Sequence, residues 1–232
     1  MEKADKKGLI IQNLTDKAEL KQKVYDNTLE IFNVLKEVLK DSVKDINQKL
    51  KNVDNRITLE YRDNGKFEAE LKVAGDILLF SMHSNIFEFD RNHKIWLLPY
   101  IKEDHTRSYC GIINIYNFLS DSFKYNRFED LGYLVTRLFI NNDNAFFVEG
   151  KRQTDYFYSN FGKHKIERDT LKDIISSAIL YSLDFDLLVP PYDTVKIATV
   201  AQMNKKIEKS RMATGKRLGF KFNSDDVTEI EE

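Results

Sequence analysis

Cysteine is nearly absent from this chain: Cys110 stands alone among 232 residues. A single thiol cannot close an intramolecular disulfide, so the fold rests on its core and does not need an oxidising compartment. Glycine (9) and proline (3) are also sparse. The glycines are scattered singly, which excludes the glycine clusters that cradle phosphates at helix starts. Gly215-Lys216-Arg217 is not a phosphate-binding loop, because the first glycine is missing and Arg217 stands where a hydroxyl residue is needed. Gly-x-Ser-x-Gly, His-Glu-x-x-His, Cys-x-x-Cys and Gly-x-Gly-x-x-Gly do not occur. No run approaches the ~20 apolar residues that span a bilayer. The charged residues 1–7 lack the apolar centre of a secretory signal. The expected location is therefore the cytoplasm, or a virion assembled in a host cytoplasm, with no membrane partner. Neither sign of charge dominates: 36 basic residues face 37 acidic ones, for a net charge of −1. That balance argues against a dedicated nucleic-acid coat or a polybasic membrane binder.

What is present is a globular composition, 42% apolar and 12% aromatic, long enough to bury a substantial core. Lys, Asn, Ile, Phe and Tyr are plentiful, the bias that AT-rich codons produce. It points by association to a low-GC bacterium or one of its phages.

The expected organisation is an N-terminal arm (1–14), one α+β domain (15–213) and a charged C-terminal tail (214–232). Asp16 with Glu19 resembles a helix-capping pair. Leu20, Val24, Ile31, Leu35, Val38, Ile46 and Leu50 then recur at three-, four- and seven-residue steps, which predicts a long amphipathic helix. Such a helix either breaks near Asp41-Ser42 or presents its stripe to another subunit. Ile57, Leu59 and Tyr61, then Phe67, Ala69, Leu71 and Val73, alternate with polar residues around Asn64-Gly65, a hairpin signature. Further strands are expected at 77–82, 85–89, 94–98 and 109–119. The fold class is thus α+β, with a mainly antiparallel sheet over about 56–119, a long N-terminal helix and a helical C-terminal half. In that half, helices are expected at 131–140, from Asp169-Thr170 onward and over 194–211. Strands are expected at 145–148 and 183–189.

The sharpest chemical candidate is Glu149-Gly150-Lys151 at the end of the 145–148 strand. Metal-dependent nucleases present a ligand and a lysine in this way, and Asp143 (or Asp130) would supply a second carboxylate for Mg²⁺. The same spacing also ends an ordinary strand in a charged turn, which is the favoured reading. His83, His93 and His105, near Asp90, Asp104 and Cys110, match no compact ligand spacing and read as surface or capping histidines. Asp184 and Asp186 would share one strand face, but no triphosphate-binding helix start precedes them. Lys205, Lys209, Arg211, Lys216 and Arg217 form the one basic concentration, a candidate nucleic-acid contact or a solvated helix end. Arg152, Tyr156, Tyr158 and Phe161 belong to a dense aromatic run, either core or subunit interface. No metal or cofactor is expected. The expectation is a non-enzymatic structural or adaptor protein acting through homo-oligomeric interfaces and other protein subunits. A ring or connector of a phage particle is one version and a dimeric regulatory or sensing module another. A metal-dependent nuclease is the alternative.

Overall fold

The three- and four-residue apolar steps at the start of the chain wind into one unbroken helical rod. The computed structural model describes residues 6–50, 54, 57–128, 130–150, 160–184, 187–188, 199–200 and 220–221. The rod comprises α1 (Lys6–Gln12), a π-helical segment (Asn13–Ala18) and α2 (Glu19–Lys49). At ~1.5 Å per residue it is roughly 60 Å long. Val24, Thr28, Ile31, Phe32, Leu35, Val38, Leu39 and Ser42 form its buried stripe. The helix does not break at Asp41-Ser42, and the stripe of α2 is covered by the chain's own sheet and a second helix. Residues 6–14 of the expected arm are helical. Asp16 and Glu19 lie inside the rod, where Ala18 already has helical angles (φ −73°, ψ −41°), so they do not cap it. Asn47 ties the far end of α2 to the first strand. Its side chain accepts from the Leu59 N–H (3.0 Å) and donates to the Leu59 carbonyl (2.8 Å).

Seven strands make one antiparallel sheet: β1 (Leu59–Asp63), β2 (Glu68–Val73), β3 (Asp76–Met82), β4 (Phe87–Glu88), β5 (Tyr109–Leu119), β6 (Tyr133–Asn141) and β7 (Phe146–Gly150). The order is β1-β2-β3-β5-β6-β7, with β4 pairing against β5. The alternating hairpin forms as its pattern predicts, Leu59 opposite Val73 and Asp63 opposite Ala69. Gly65 takes φ +109° in the turn, a conformation that favours glycine. Lys36, buried on α2, reaches this turn and bonds Asp63 at 2.8 Å as well as the Gly65 carbonyl. The Lys36 ammonium, then the Gly65 N–H, hold the Asp63 carboxyl below its ordinary range.

The second half of the chain departs from expectation. Residues 131–140, expected as a helix, are mostly the strand β6, so a helical C-terminal half is not what the described residues form. Val135, Leu138 and Ile140 turn to the α2 side of the sheet while Phe139 packs on the other. A strand buried on both faces has no period-2 signal to distinguish it from a buried helix, and pairing with β5 and β7 decides the matter. Residues 94–98, expected as a strand, form a 3₁₀ turn (Lys94–Leu97) that leads through Pro99 into α3 (Pro99–Glu103). Proline fits the first turn of a helix, where its missing N–H costs nothing. A short α4 (Ser120–Lys124) follows β5. The expected helix after Asp169 is α5 (Arg168–Leu183), and Leu187–Leu188 pair in parallel with Phe220–Lys221. The helix expected over 194–211 and the charged tail lie outside the described residues, apart from 199–200 and 220–221.

The sheet carries a core on each face. On one, α2 and α5 pack over Leu71, Leu78, Phe80, Ile113, Ile115, Leu138 and Val148. On the other, the turns between β4 and β5 bring Ile95 and Ile101 onto Cys110, Phe139, Phe147 and Phe161. This second layer covers the Tyr109 end of β5. Among the described residues, no helix is long and apolar enough to cross a membrane.

Candidate assembly surfaces

Glu149 is the penultimate residue of β7, directly opposite Arg137 of β6. The Arg137 guanidinium bonds Glu149 (Nη1 to Oε2, 3.2 Å) and the Asn114 side-chain oxygen (3.2 Å). This is a cross-strand ladder on an exposed face, and Lys151 lies outside the described residues. Asp143 stands at the opposite end of β7, in the β6–β7 turn. The extended segment from Ala145 to Glu149 alone spans roughly 13 Å at ~3.3 Å per residue, so the structure does not bring the two carboxylates together. Asp130, the other carboxylate of that scheme, pairs with Arg127 (2.8 Å) and accepts from the Ser122 hydroxyl (2.8 Å).

Asp143 belongs to a network that docks the second layer. It accepts from the Tyr100 hydroxyl (3.0 Å) and from Arg107 Nε (3.1 Å), whose guanidinium stacks 4.4 Å from the Tyr100 ring. Buried Asn141 completes the network. Its oxygen accepts from the Asp143 and Ala145 N–H groups (3.0 Å each), and its amide donates to the Tyr100 oxygen (3.0 Å) and the Arg107 carbonyl (3.3 Å). Burial, together with the neighbouring Asp143 carboxylate, pushes the Tyr100 phenol up to about 12.

The aromatic run divides. Phe146, Phe147 and Phe161 are core: the Phe161 ring meets Tyr100 at 5.4 Å and Phe147 at 5.1 Å. Phe161 therefore presents no surface to a partner. Arg152, Tyr156 and Tyr158, like Lys205, Lys209, Arg211, Lys216 and Arg217, lie outside the described residues. The histidines cap and stack. His83 and His93 accept from the N–H groups of Asn85 (3.0 Å) and Ile95 (3.2 Å), and His105 meets the Trp96 ring edge-on at 5.5 Å. No group of three or more metal-ligating side chains occurs among the described residues.

Among the described residues, two exposed apolar surfaces stand out. The first is the start of the rod, where no residue from Lys6 to Ala18 is buried. Leu9, Ile10, Ile11 and Leu14 are 50–63% exposed there. These residues lie beyond the part of the rod that the sheet and α5 cover. The second surface, which sequence reasoning missed, flanks the Leu119 end of β5 on the face away from α2. The Phe118 ring packs edge-on against Phe123 (5.4 Å) and lies 6.3 Å from Tyr116, which is paired with Leu134. Gly132 touches Phe118 so closely that any side chain there would strike the ring. Phe128 and Leu131, on the connection to β6, are 88% and 78% exposed. A signal was available: Phe128 is a large aromatic set among Asn126, Arg127, Glu129 and Asp130. Assigning 131–140 to a buried helix hid it.

No protein-family model, curated protein or solved structure matches this chain.

Proposed function

We propose that this chain is a non-enzymatic, self-assembling structural protein that acts through contacts between its own copies. The observation that carries this reading is the projecting start of the rod. Short helices are marginal in water, and tertiary packing of an apolar face supplies most of their stability. Here about three helical turns stand clear of the core with four large aliphatic side chains exposed. A partner surface would complete them, and contiguous apolar patches of this kind mark protein–protein contacts. Ring or connector, and helix-paired dimer, are the two versions of this reading, separated by subunit number.

Light scattering coupled to size exclusion tests it on the full chain. The expected result is a mass above one subunit that falls to one when Ile10 and Leu14 are both replaced by Asp. A wild-type monomer throughout a dilution series would end the proposal.

A further inference from the structure

The two exposed apolar surfaces lie at opposite ends of the molecule. Near the first buried turn of α2, Lys21 sits over the Tyr109 ring (6.0 Å), and Asn27 bonds the Asn141 and Asn142 carbonyls (3.3 and 3.0 Å). The rod therefore leaves the domain at the Tyr109 end of β5. The aromatic patch is at the Leu119 end, roughly 30–35 Å along the strand at ~3.3 Å per residue, and on the opposite face of the sheet. Because α1 continues into α2 without a hinge, the projecting turns cannot fold back onto the patch of their own chain.

We infer that the projecting helix of one copy docks, through Leu9, Ile10, Ile11 and Leu14, on the Phe118–Phe123–Leu134 patch of a second copy. This rests on the self-assembly proposed above and names its two surfaces. The helix is a ridge, and Phe123 at the edge of the patch also borders a cavity of about 420 Å³ lined mainly by charged side chains. Area is sufficient. At roughly 150–250 Å² per aromatic side chain and somewhat less per aliphatic one, the exposed parts of the two surfaces amount to on the order of 1,000 Å². Leu9 and Ile11 point roughly 200° apart around the helix, so one contact covers only part of this; about 600 Å² of apolar area, at the usual ~57% apolar share, gives an interface of about 1,000 Å², the lower bound for a specific contact.

Charge disfavours the symmetric alternative. Residues 6–23 carry five lysines against two acids, whereas 121–134 carry two cations against three acids. Two projecting helices packed together would oppose like charges, and like-charge juxtaposition suppresses a pairing. A helix-to-patch contact joins unlike surfaces, so it closes into a ring or runs on as a filament.

Complementary variants of the full chain test this. One carries Ile10→Asp with Leu14→Asp, and the other Phe128→Asp with Leu131→Asp. All four sites are exposed, and circular dichroism with thermal melts checks that both variants fold. Light scattering is then read for each alone and for an equimolar mixture. The inference expects the wild type to exceed one subunit, each variant alone to be monomeric, and the mixture to give a one-to-one dimer and nothing larger. A patch variant that still self-associates indicates helix–helix pairing, and a helix variant that does so indicates patch–patch pairing. Either result overturns the inference while leaving self-assembly standing, as does a mixture that stays monomeric. A monomeric wild type removes both.

Discussion

Replacing Gly111 with alanine tests how α2 meets the sheet. A Cβ built on Gly111 would lie 2.1 Å from Thr28 Oγ1 and 2.8 Å from Thr28 Cβ and Cγ2. Thr28 is fully buried, and its hydroxyl is bonded to the Val24 carbonyl (2.7 Å), so it has no free space to turn into. The helix must move off the strand or the strand must bend, and overpacking of this kind costs about 1–3 kcal/mol, occasionally more. For a domain of this size each kcal/mol shifts Tm by roughly 2–4 °C. A cost near the top of that range predicts a drop of roughly 6–12 °C. Thr28→Ala alone loses one hydrogen bond, about 0.5–1.5 kcal/mol. In the double variant the closest contacts disappear although Thr28 Cβ's position remains occupied, so the two costs should not add. A favourable coupling of about 1–2 kcal/mol is expected from urea unfolding of all four forms. A neutral Gly111→Ala, or strictly additive effects, would show that α2 does not cross β5 at Gly111.

Asn141→Ala orphans the N–H groups of Asp143 and Ala145 and frees the Tyr100 oxygen. A loss of about 2–4 kcal/mol is expected from urea unfolding, since each stranded buried group costs about 1–3 kcal/mol. Asp63 has a lowered folded pKa, so its bond to Lys36 contributes fully above the unfolded carboxyl value of about 3.9 and is lost as pH falls through the folded one. Asp63→Asn should flatten the acid limb of the stability–pH curve, and an unchanged limb would refute this. The Cys110 thiol is buried and its pKa is pushed up by burial. It should react with a disulfide reagent only as fast as the chain opens, and should be fully reactive in denaturant. Immediate reaction in native buffer would contradict the second core.

Legibility along the chain followed whether an element shows water one side. The β1–β2 hairpin was readable residue by residue because its outer positions Glu60, Arg62, Glu70 and Lys72 are polar against Leu59, Ala69, Leu71 and Val73. The N-terminal helix was readable for the same reason. Glu149 and Asp143 looked like partners in sequence, yet a strand between them sets them at opposite ends. Phe161 reads in sequence as either core or interface, and it is core. In both cases side-chain type was visible and side-chain placement was not.

By itself the sequence determined the α+β class, the long helix, the hairpin with Asn64-Gly65 at its turn and the central strand 109–119. Those features are encoded in local periodicity and turn chemistry, which act over a few residues. Only the tertiary structure decided that 133–141 is a strand, because a segment buried on both faces takes its conformation from its neighbours. Tertiary packing alone also decided that α2 is covered by its own sheet while the turns before it are not. Exposure is a property of what else folds nearby: Leu14 and Leu35 are the same residue type on the same rod, and only the sheet beneath one of them distinguishes the two.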